Sequence, residues 1–82
     1  MTVTVRVRYF AGARAAAGTA EEDVPAGDLA DLKAALAERH GHELERVLKV
    51  ATLLVDGRAA REDALALAEG ATVEVLPPFA GG

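Results

Sequence analysis

The segment of residues 3–10 limits the accessible folds more than any other part of the sequence, because apolar and polar side chains alternate along it. The two sets are Val3, Val5, Val7 and Tyr9, and Thr4, Arg6, Arg8 and Phe10. Successive side chains of a β-strand point to opposite faces of a sheet. The alternation therefore predicts a half-buried strand, with the three valines and the tyrosine directed toward the core. Such a strand needs neighbouring strands and a second layer that covers its apolar face.

The segment of residues 28–40 predicts that second layer, because it has the spacing of an amphipathic helix. Leu29, Leu32 and Leu36 fall on one helical face. Asp28 is suited to the N-cap, where its carboxylate accepts amide protons of the first turn. Gly41 is suited to stop the helix. A helix of this extent is about 20 Å long, which is enough to cross a small sheet.

Length and composition predict one modest domain. The 82 residues are 51% hydrophobic, and a domain near this size buries only about 60% of its unfolded surface. The sequence contains no cysteine, which excludes disulfides, a thiolate nucleophile and cysteine-ligated zinc. The formal net charge of -4 disfavours general nucleic-acid binding, which requires a basic surface.

No segment of the sequence is suited to a membrane or to secretion. No apolar run approaches the ~18 residues of a membrane span. Met1 is followed by the alternating strand instead of the basic and apolar regions of a secretory signal. We therefore expect a cytoplasmic protein without a membrane partner.

The remaining segments predict further strands and turns. Asp56-Gly57 is a strong signal for a two-residue hairpin turn. The acidic residues 21–23 are expected to be solvated at a sheet edge, and residues 25–27 to end the strand that contains them. Val73 and Val75 are expected to face inward. The expected elements are a loop or short helical turn over residues 11–18, a weak strand over 19–24, a polar turn or short helix over 41–46, a strand over 48–55, a short return strand over 58–61 and a last strand over 71–76.

Taken in order, these elements predict a two-layer α+β domain. The first two strands form a hairpin, and the main helix packs on one face of a mixed sheet of four to five strands. The last strand lies beside the first and parallel to it. This arrangement is the ubiquitin-like β-grasp. We expect it to cover residues 1–78, with residues 79–82 as a flexible tail.

The tail sequence is the main functional signal. It reads Pro77-Pro78-Phe79-Ala80-Gly81-Gly82. Glycine lacks a Cβ atom and adopts φ values of either sign, so two glycines can pass through a narrow tunnel. We therefore expect the Gly82 carboxylate to reach chemistry inside a partner protein. The alternative is a frayed end without a function.

Phe10 and Leu76 are candidates for a partner surface, since alternation places both on the outer face of the sheet near the tail. Exposed apolar patches often mark partner sites. The alternative for Phe10 is that it closes one end of the core. Arg6 and Arg8 are expected on the same outer face, opposite Glu74.

The sequence predicts neither a metal site nor a catalytic centre. His40 and His42 have no carboxylate constellation nearby, so they make a poor metal site and are expected to cap the end of the helix. The segment of residues 12–18 lacks the Gly-Lys-Ser/Thr of a phosphate-binding loop. The chain therefore does not resemble an enzyme in its own residues.

The sequence as a whole resembles the MoaD family, the small subunits of molybdopterin synthase, which are ubiquitin-like sulfur carriers related to ThiS. The resemblance is carried by Phe10-Ala11 with Arg14, by the helix from Leu29, by Val55-Asp56-Gly57 and by the Pro-Pro-Phe-Ala-Gly-Gly tail. Two positions depart from the family pattern. Ala15 stands where the family often has a glutamate, and Asp56-Gly57 where Asn-Gly is common.

The resemblance implies a non-catalytic, sulfur-donating subunit. An E1-like enzyme of the MoeB type would use ATP to adenylate Gly82, and sulfur from a donor protein would then replace one oxygen to give a thiocarboxylate. The tail would enter the large subunit, MoaE, in a heterotetramer, and two sulfur transfers to cyclic pyranopterin monophosphate would build molybdopterin. No cofactor is implied to bind the chain directly. The implied tail-insertion residues are Pro77, Pro78, Phe79, Ala80 and Gly81.

Three other functions share these sequence features. A sulfur carrier for thiamine, cysteine or thiolated-RNA synthesis would have the same tail chemistry. A ubiquitin-like modifier would join Gly82 to lysines of target proteins. A plain β-grasp binding module would function without the tail.

Overall fold

Five strands and three helices are found in the computed structural model, which describes residues 2–78. The sheet has the order β2-β1-β5-β3-β4. Strands β1 and β5 are parallel, and the other neighbouring pairs are antiparallel. The fold is the predicted ubiquitin-like β-grasp. The elements are β1 (Val3–Tyr9), α1 (Gly12–Ala17), β2 (Glu21–Ala26), α2 (Leu29–His40), α3 (His42–Val50), β3 (Thr52–Val55), β4 (Arg58–Ala60) and β5 (Thr72–Leu76).

The core lies between the helices and one face of the sheet. The alternation of β1 is confirmed, since Val5, Val7 and Tyr9 are at most 1% exposed. The inward valines predicted for β5 are confirmed as well. On the helical side, the apolar stripe of α2 is completely buried. The fully buried residues of these two elements are Val73, Val75, Leu29, Leu32 and Leu36.

The predicted ends of α2 are confirmed. The Asp28 carboxylate accepts a hydrogen bond of 2.8 Å from the backbone N–H of Asp31, which satisfies a donor that the helix leaves free. Gly41 follows the helix with a φ of 84°, a left-handed value that glycine adopts without steric cost. A second helix, α3, begins immediately after Gly41.

The predicted strand over residues 48–55 was wrong in its first half. Leu48 belongs to α3, which continues to Val50, and β3 begins only at Thr52. Leu44 and Leu48 are four residues apart and both are buried, as expected for one face of a helix. The prediction had instead assigned Leu44 to a polar turn or short helix over residues 41–46 and Leu48 to a strand over residues 48–55.

Strand β2 is longer at its carboxyl end than predicted. Pro25 lies within the strand and is paired with Thr4, whereas the sequence analysis ended the strand there. Proline is tolerated because β2 is an edge strand, on which one side of the backbone needs no partner. The strand therefore continues to Ala26, which is fully buried.

Two of the predicted connections between strands can be compared with the structure. The segment predicted as a loop or short helical turn forms the short helix α1, which ends at Ala17 and is followed by Gly18 as its C-cap. The hairpin predicted at Asp56-Gly57 is confirmed, with φ values of 50° and 85°. Positive φ at both central residues is characteristic of a type I′ turn, whose twist matches that of the flanking strands.

Of the helices within residues 2–78, none has the length and apolar character that crossing a membrane would require.

Candidate functional site

The candidate site begins where the central strand β5 ends. β5 lies between β1 and β3, and Pro77 and Pro78 follow its last residue, Leu76. The fold therefore directs the chain out of the middle of the sheet. The predicted reacting and tail residues Phe79, Ala80, Gly81 and Gly82 lie outside the described residues, so their roles stay predictions.

Phe10 and Leu76 lie close to this exit, on the outer face of the sheet. The backbone N–H of Phe10 donates a hydrogen bond of 3.3 Å to the carbonyl of Val75, which places Phe10 beside the end of β5. Both side chains are half-buried, and neither belongs to the core cluster or packs against it. The alternative in which Phe10 closes the core is therefore not what the structure shows. The proposed contact with a partner stays a prediction.

Leu54 is a third apolar residue on this face, and it was not among the predicted site residues. It lies on β3 opposite Glu74, two pairs away from the pairing of Thr52 with Leu76 and therefore on the same face of the sheet. Its neighbour Leu53 is buried, so alternation directs the half-buried Leu54 outward. Period two within β3 was a signal for this residue, but the pairing with β5 was needed to place it near Leu76. We call Phe10, Leu54 and Leu76 the outer patch.

The charges beside the outer patch are only partly those predicted. Arg8 lies opposite Glu74 as expected, at 3.9 Å between Nη1 and Oε2, and its guanidinium carbon is 5.6 Å from the centre of the Phe10 ring. Arg6 was predicted opposite Glu74 too, which was wrong. Arg6 binds Glu21, and its Nε lies 2.6 Å from Oδ1 of Asp23, because Arg6 is paired with Asp23 on β2 and with Thr72, not Glu74, on β5.

Arg8 is therefore the cation that borders the outer patch. It is held between an aromatic face and a carboxylate, and its side chain is still 47% exposed. Cations over aromatic rings gain modest stabilisation at exposed sites. The patch thus combines apolar area with one accessible guanidinium that an acidic group of a partner can reach.

A cluster of polar side chains that was not predicted from the sequence lies on the opposite face of the sheet. We call Tyr9, Glu22, Arg39 and His40 the Glu22 cluster. The carboxylate of Glu22 accepts a hydrogen bond of 2.6 Å from the Tyr9 hydroxyl and one of 2.8 Å from Arg39. Nε2 of His40 lies 2.5 Å from Oε2 of Glu22. The cluster therefore joins the β1–β2 hairpin to the last turn of α2.

Two expectations are corrected by this cluster. Residues 21–23 were expected to be solvated, but the Glu22 side chain is only 17% exposed because it points toward α2. His40 does lie at the end of α2, but its ring contacts Glu22. His42 is not at that end at all, since it belongs to the first turn of α3 and lies 3.1 Å from Glu45.

The electrostatics of the cluster follow from burial and hydrogen bonding. Burial acts to raise the pKa of Glu22, but hydrogen bonds from Tyr9, His40 and Arg39 favour the carboxylate and leave the pKa below its ordinary value. Burial, followed by the hydrogen bond to Glu22, raises the pKa of Tyr9. Tyr9 is thus a neutral donor to a charged acceptor. Residues 2–78 contain no group of three histidine, aspartate or glutamate side chains placed to hold a metal ion.

Comparisons with known proteins agree with this geometry. The model of the ThiS family matches residues 7–82. No curated protein sequence matches the chain significantly. Among solved structures, small archaeal modifier protein 1 from Haloferax volcanii is 27% identical, with a TM-score of 0.83 over 96% of this chain and 99% of that one.

Two further similar structures carry names from molybdopterin biosynthesis. A Pyrococcus furiosus protein assigned as molybdopterin converting factor, subunit 1, is 30% identical, with a TM-score of 0.77 over 94% of this chain and 99% of that one. A chain from the complex of subunits 1 and 2 of molybdopterin-converting factor of Helicobacter pylori 26695 is 26% identical, with a TM-score of 0.76 over 98% and 100%. The fold of this chain is thus that of the ThiS/MoaD sulfur carriers, and by its match over residues 7–82 the chain belongs to the ThiS family.

Proposed function

We propose that this protein is a sulfur carrier and that the Gly82 carboxylate is its reacting group. The observation that carries the proposal is the match of the ThiS family model through residue 82, on a body whose central strand leads directly into Pro77 and Pro78. A carboxylate is a poor electrophile until one oxygen becomes part of a leaving group. An E1-like enzyme would supply that leaving group by joining the carboxylate to AMP from ATP, with release of pyrophosphate.

Formation of the carrier species then requires one substitution at the same carbonyl. Hydrosulfide (HS⁻) supplied by a donor protein attacks the carbonyl carbon of Gly82, the bond from this carbon to the AMP oxygen breaks, and AMP and a proton leave. The product is a thiocarboxylate. Residues 79–82 span about 13–14 Å when extended, so the folded body can stay outside a pocket while the terminal group reaches its interior. Pro77 and Pro78 restrict the backbone before binding, which lowers the entropy lost on insertion.

The recipient that we propose is cyclic pyranopterin monophosphate, held by the large subunit of a molybdopterin synthase. Similarity to a subunit from the Helicobacter pylori complex supports a partner of this kind. The outer patch lies beside the point where the tail leaves the fold, so a subunit that encloses the tail would also cover Phe10 and Leu76. Two transfers, each returning Gly82 to a carboxylate, would supply both sulfurs of the dithiolene.

The second candidate function is protein modification. Similarity to small archaeal modifier protein 1 favours it specifically. The same acyl-adenylate would then react with a lysine amine of a target protein, and AMP would leave as an isopeptide bond forms. The folded body serves both functions equally, so the chemistry of the acceptor distinguishes them.

Intact-mass measurement of the protein from cells tests the sulfur-carrier proposal. We expect a species in which one oxygen is replaced by sulfur, and its loss in cells that lack the E1-like enzyme. Growth tests then separate the pathways: rescue of a strain without its molybdopterin synthase small subunit is expected, and rescue of a thiamine-requiring strain alone would overturn the molybdopterin assignment. Gly-Gly remnants on lysines of other proteins, without any thiocarboxylate, would favour the modifier.

A Gly81→Val variant tests the role of the tail with the fold as control. A β-branched side chain restricts the backbone and widens the tail, so we expect loss of ATP–pyrophosphate exchange with an unchanged melting temperature. A normal exchange rate with a lowered melting temperature would contradict the proposed role.

A further inference from the structure

A groove of about 360 Å³ lies beside β4, at the edge of the sheet farthest from β2. Its apolar lining includes Val55, Ala60 and Leu65. Leu65 is 38% exposed, and together with Val50 it forms the pair of exposed large apolar side chains found within residues 2–78. An exposed leucine at the rim of a groove gives a ligand an apolar contact.

The backbone of β4 offers hydrogen bonds along the same groove. Within the described part of the chain, β4 pairs only with β3. Ala59 lies between Arg58 and Ala60, which face Val55 and Leu53. In an antiparallel pair of strands, hydrogen-bonded and non-hydrogen-bonded residue pairs alternate. The pair that flanks a two-residue turn, here Val55 and Arg58, is hydrogen-bonded. The next pair, Leu54 and Ala59, is therefore not bonded, and the N–H and C=O of Ala59 point away from β3. An edge of this kind is a template for another strand.

The other edge of the sheet, formed by β2, is protected against pairing with a further strand. β2 carries Pro25, which cannot donate a hydrogen bond, and acidic side chains that already bind Arg6. Natural proteins use proline and charge to prevent pairing at sheet edges. β4 has neither proline nor acidic residues; its protection is limited to its length of three residues and to Arg58, whose positive charge favours an acidic partner strand.

The charge of the groove specifies what would pair with it. Arg58 and Arg61 line it, and Glu62 is the acidic residue among the lining side chains. Neither arginine forms a salt bridge with any of the residues 2–78. The protein as a whole has a formal charge of -4, so a groove with two cations and one anion stands out from the surface around it. Carboxylates of a ligand would complement it, since guanidinium–carboxylate pairs are strong and directional.

The wall of the groove is held in place by α2. The N–H of Leu29 donates to the carbonyl of Leu65 at 3.0 Å, and the N–H of Ala30 donates to the carbonyl of Asp63 at 2.9 Å. Lys33 of the same helix lies 3.0 Å from Oδ1 of Asp63. A wall fixed before binding lowers the entropy cost of association.

We propose that the β4 edge binds an extended acidic peptide segment of a partner protein, which adds a sixth strand beside β4. The segment would bond to the N–H and C=O of Ala59, place an apolar side chain against Leu65, and place carboxylates on Arg58 and Arg61. Strand addition of this type takes affinity from the main chain and specificity from alternate side chains. The site is independent of sulfur transfer, because it involves neither the tail nor the outer patch.

The test uses the full 82-residue chain, labelled with ¹⁵N, and the synthetic peptide acetyl-Glu-Val-Glu-Ile-Glu-Val-amide. We expect amide shifts centred on Ala59, Ala60 and Leu65, with the Ala59 amide protected from hydrogen exchange. Reversing both charges (R58E with R61E) is expected to weaken binding at least about tenfold. The matched control R46E, an exposed arginine of α3, should leave the affinity unchanged.

A second variant separates strand addition from simple charge attraction. Ala59→Pro removes the outward N–H without removing a ladder bond to β3, so it should weaken peptide binding while the melting temperature stays close to that of the wild type. Equal binding of a peptide with lysine in place of glutamate would overturn the proposal, as would unchanged affinity in the charge-reversed protein. Shifts at β4 that depend on protein concentration without peptide would also overturn it, because a second copy would then occupy the edge.

Discussion

The inner and outer faces of β1 and β5 are built from residues that alternate along the same two strands, yet their environments differ sharply. On the inner face, Tyr9 and Val75 are at most 1% exposed. On the outer face, Arg8 and Glu74 form an ion pair at 3.9 Å with side chains 47% and 25% exposed. The three helices of residues 2–78 all contribute to the core on the inner side, so the outer face retains its contact with solvent.

The comparison of two glutamates shows what this difference means physically. Glu22 points inward and has three donors, from β1 and from the end of α2. Glu74 points outward and has a single long contact with Arg8. Exposed ion pairs contribute about 0–1 kcal/mol, whereas hydrogen bonds to a charged, partly buried group contribute about 1.5–3 kcal/mol. The polar contacts of the inner face are therefore expected to contribute more to stability than those of the outer face.

The largest expected effect comes from truncating one leucine on each face. Leu32→Ala removes a fully buried side chain of α2 and should lower the free energy of unfolding by about 2–5 kcal/mol. Leu76→Ala removes a half-buried side chain of the outer patch and should cost about 1 kcal/mol or less. Urea unfolding of both variants measures the contrast. Equal losses would show that the outer face contributes to the core as much as the inner one.

The next largest effect should come from the Glu22 cluster. Glu22→Gln keeps the size of the side chain but removes the charge that Arg39 and His40 contact, so we expect a loss of about 2 kcal/mol in unfolding free energy. Asp23→Asn is the matched control, because the neighbouring carboxylate is 57% exposed and should contribute about 0.5 kcal/mol or less. A larger loss in the control would break the distinction between the two faces.

Acid titration should sharpen the same comparison. The pKa of Glu22 in the folded protein is lowered from 4.5, so the unfolded chain binds the proton more readily. Stability from Glu22 is thus fully present above pH 4.5 and is lost as the pH falls through the lowered folded value. The difference in unfolding free energy between wild type and Glu22→Gln should shrink over this range. A difference that is constant down to low pH would contradict the pKa direction.

The smallest effect on stability is expected at Phe10. Phe10→Ala should change the free energy of unfolding by about 1 kcal/mol or less, because the ring lies outside the core cluster. Its effect should appear in binding to the large subunit or to the activating enzyme, where a buried aromatic anchor contributes about 2 kcal/mol. Calorimetry with both partners measures this. A variant with wild-type stability and unchanged affinity for both would remove Phe10 from the partner surface.

Elements that bury a local and periodic pattern were predictable from the sequence. The alternation of β1 and β5, the leucine stripe of α2 with its cap at Asp28, and the turn at Asp56-Gly57 each carry their own structural preference. The boundary between α3 and β3 was not predictable in this way. Residues 48–50 are Leu-Lys-Val, an alternation that also fits a strand, and the burial of Leu48 together with Leu44 on one face of α3 selects the helix.

The candidate site was likewise predictable only where it depends on a local sequence pattern. Alternation alone placed Phe10 and Leu76 on the outer face, and the tail sequence with its family resemblance indicated the chemistry. The position of Leu54 near Leu76 depends on the register between β3 and β5. Arg6 binds acidic residues of β2 instead of Glu74 because it is paired with Asp23.

By itself, the sequence determined the β-grasp order of elements, the membership of the inner and outer faces, and the Gly-Gly tail, because each depends on residues close together in the chain. Only the tertiary structure decided that Glu22 meets His40, eighteen positions away. It also decided that β4 lies at an edge of the sheet, beside a groove lined by two arginines that form no salt bridge with residues 2–78. Contacts of this kind depend on how separate elements pack, since the helix must lie across the sheet before a carboxylate on one can meet an imidazole on the other. Local preferences specify the elements, and burial of their shared apolar surface specifies which polar groups are brought together.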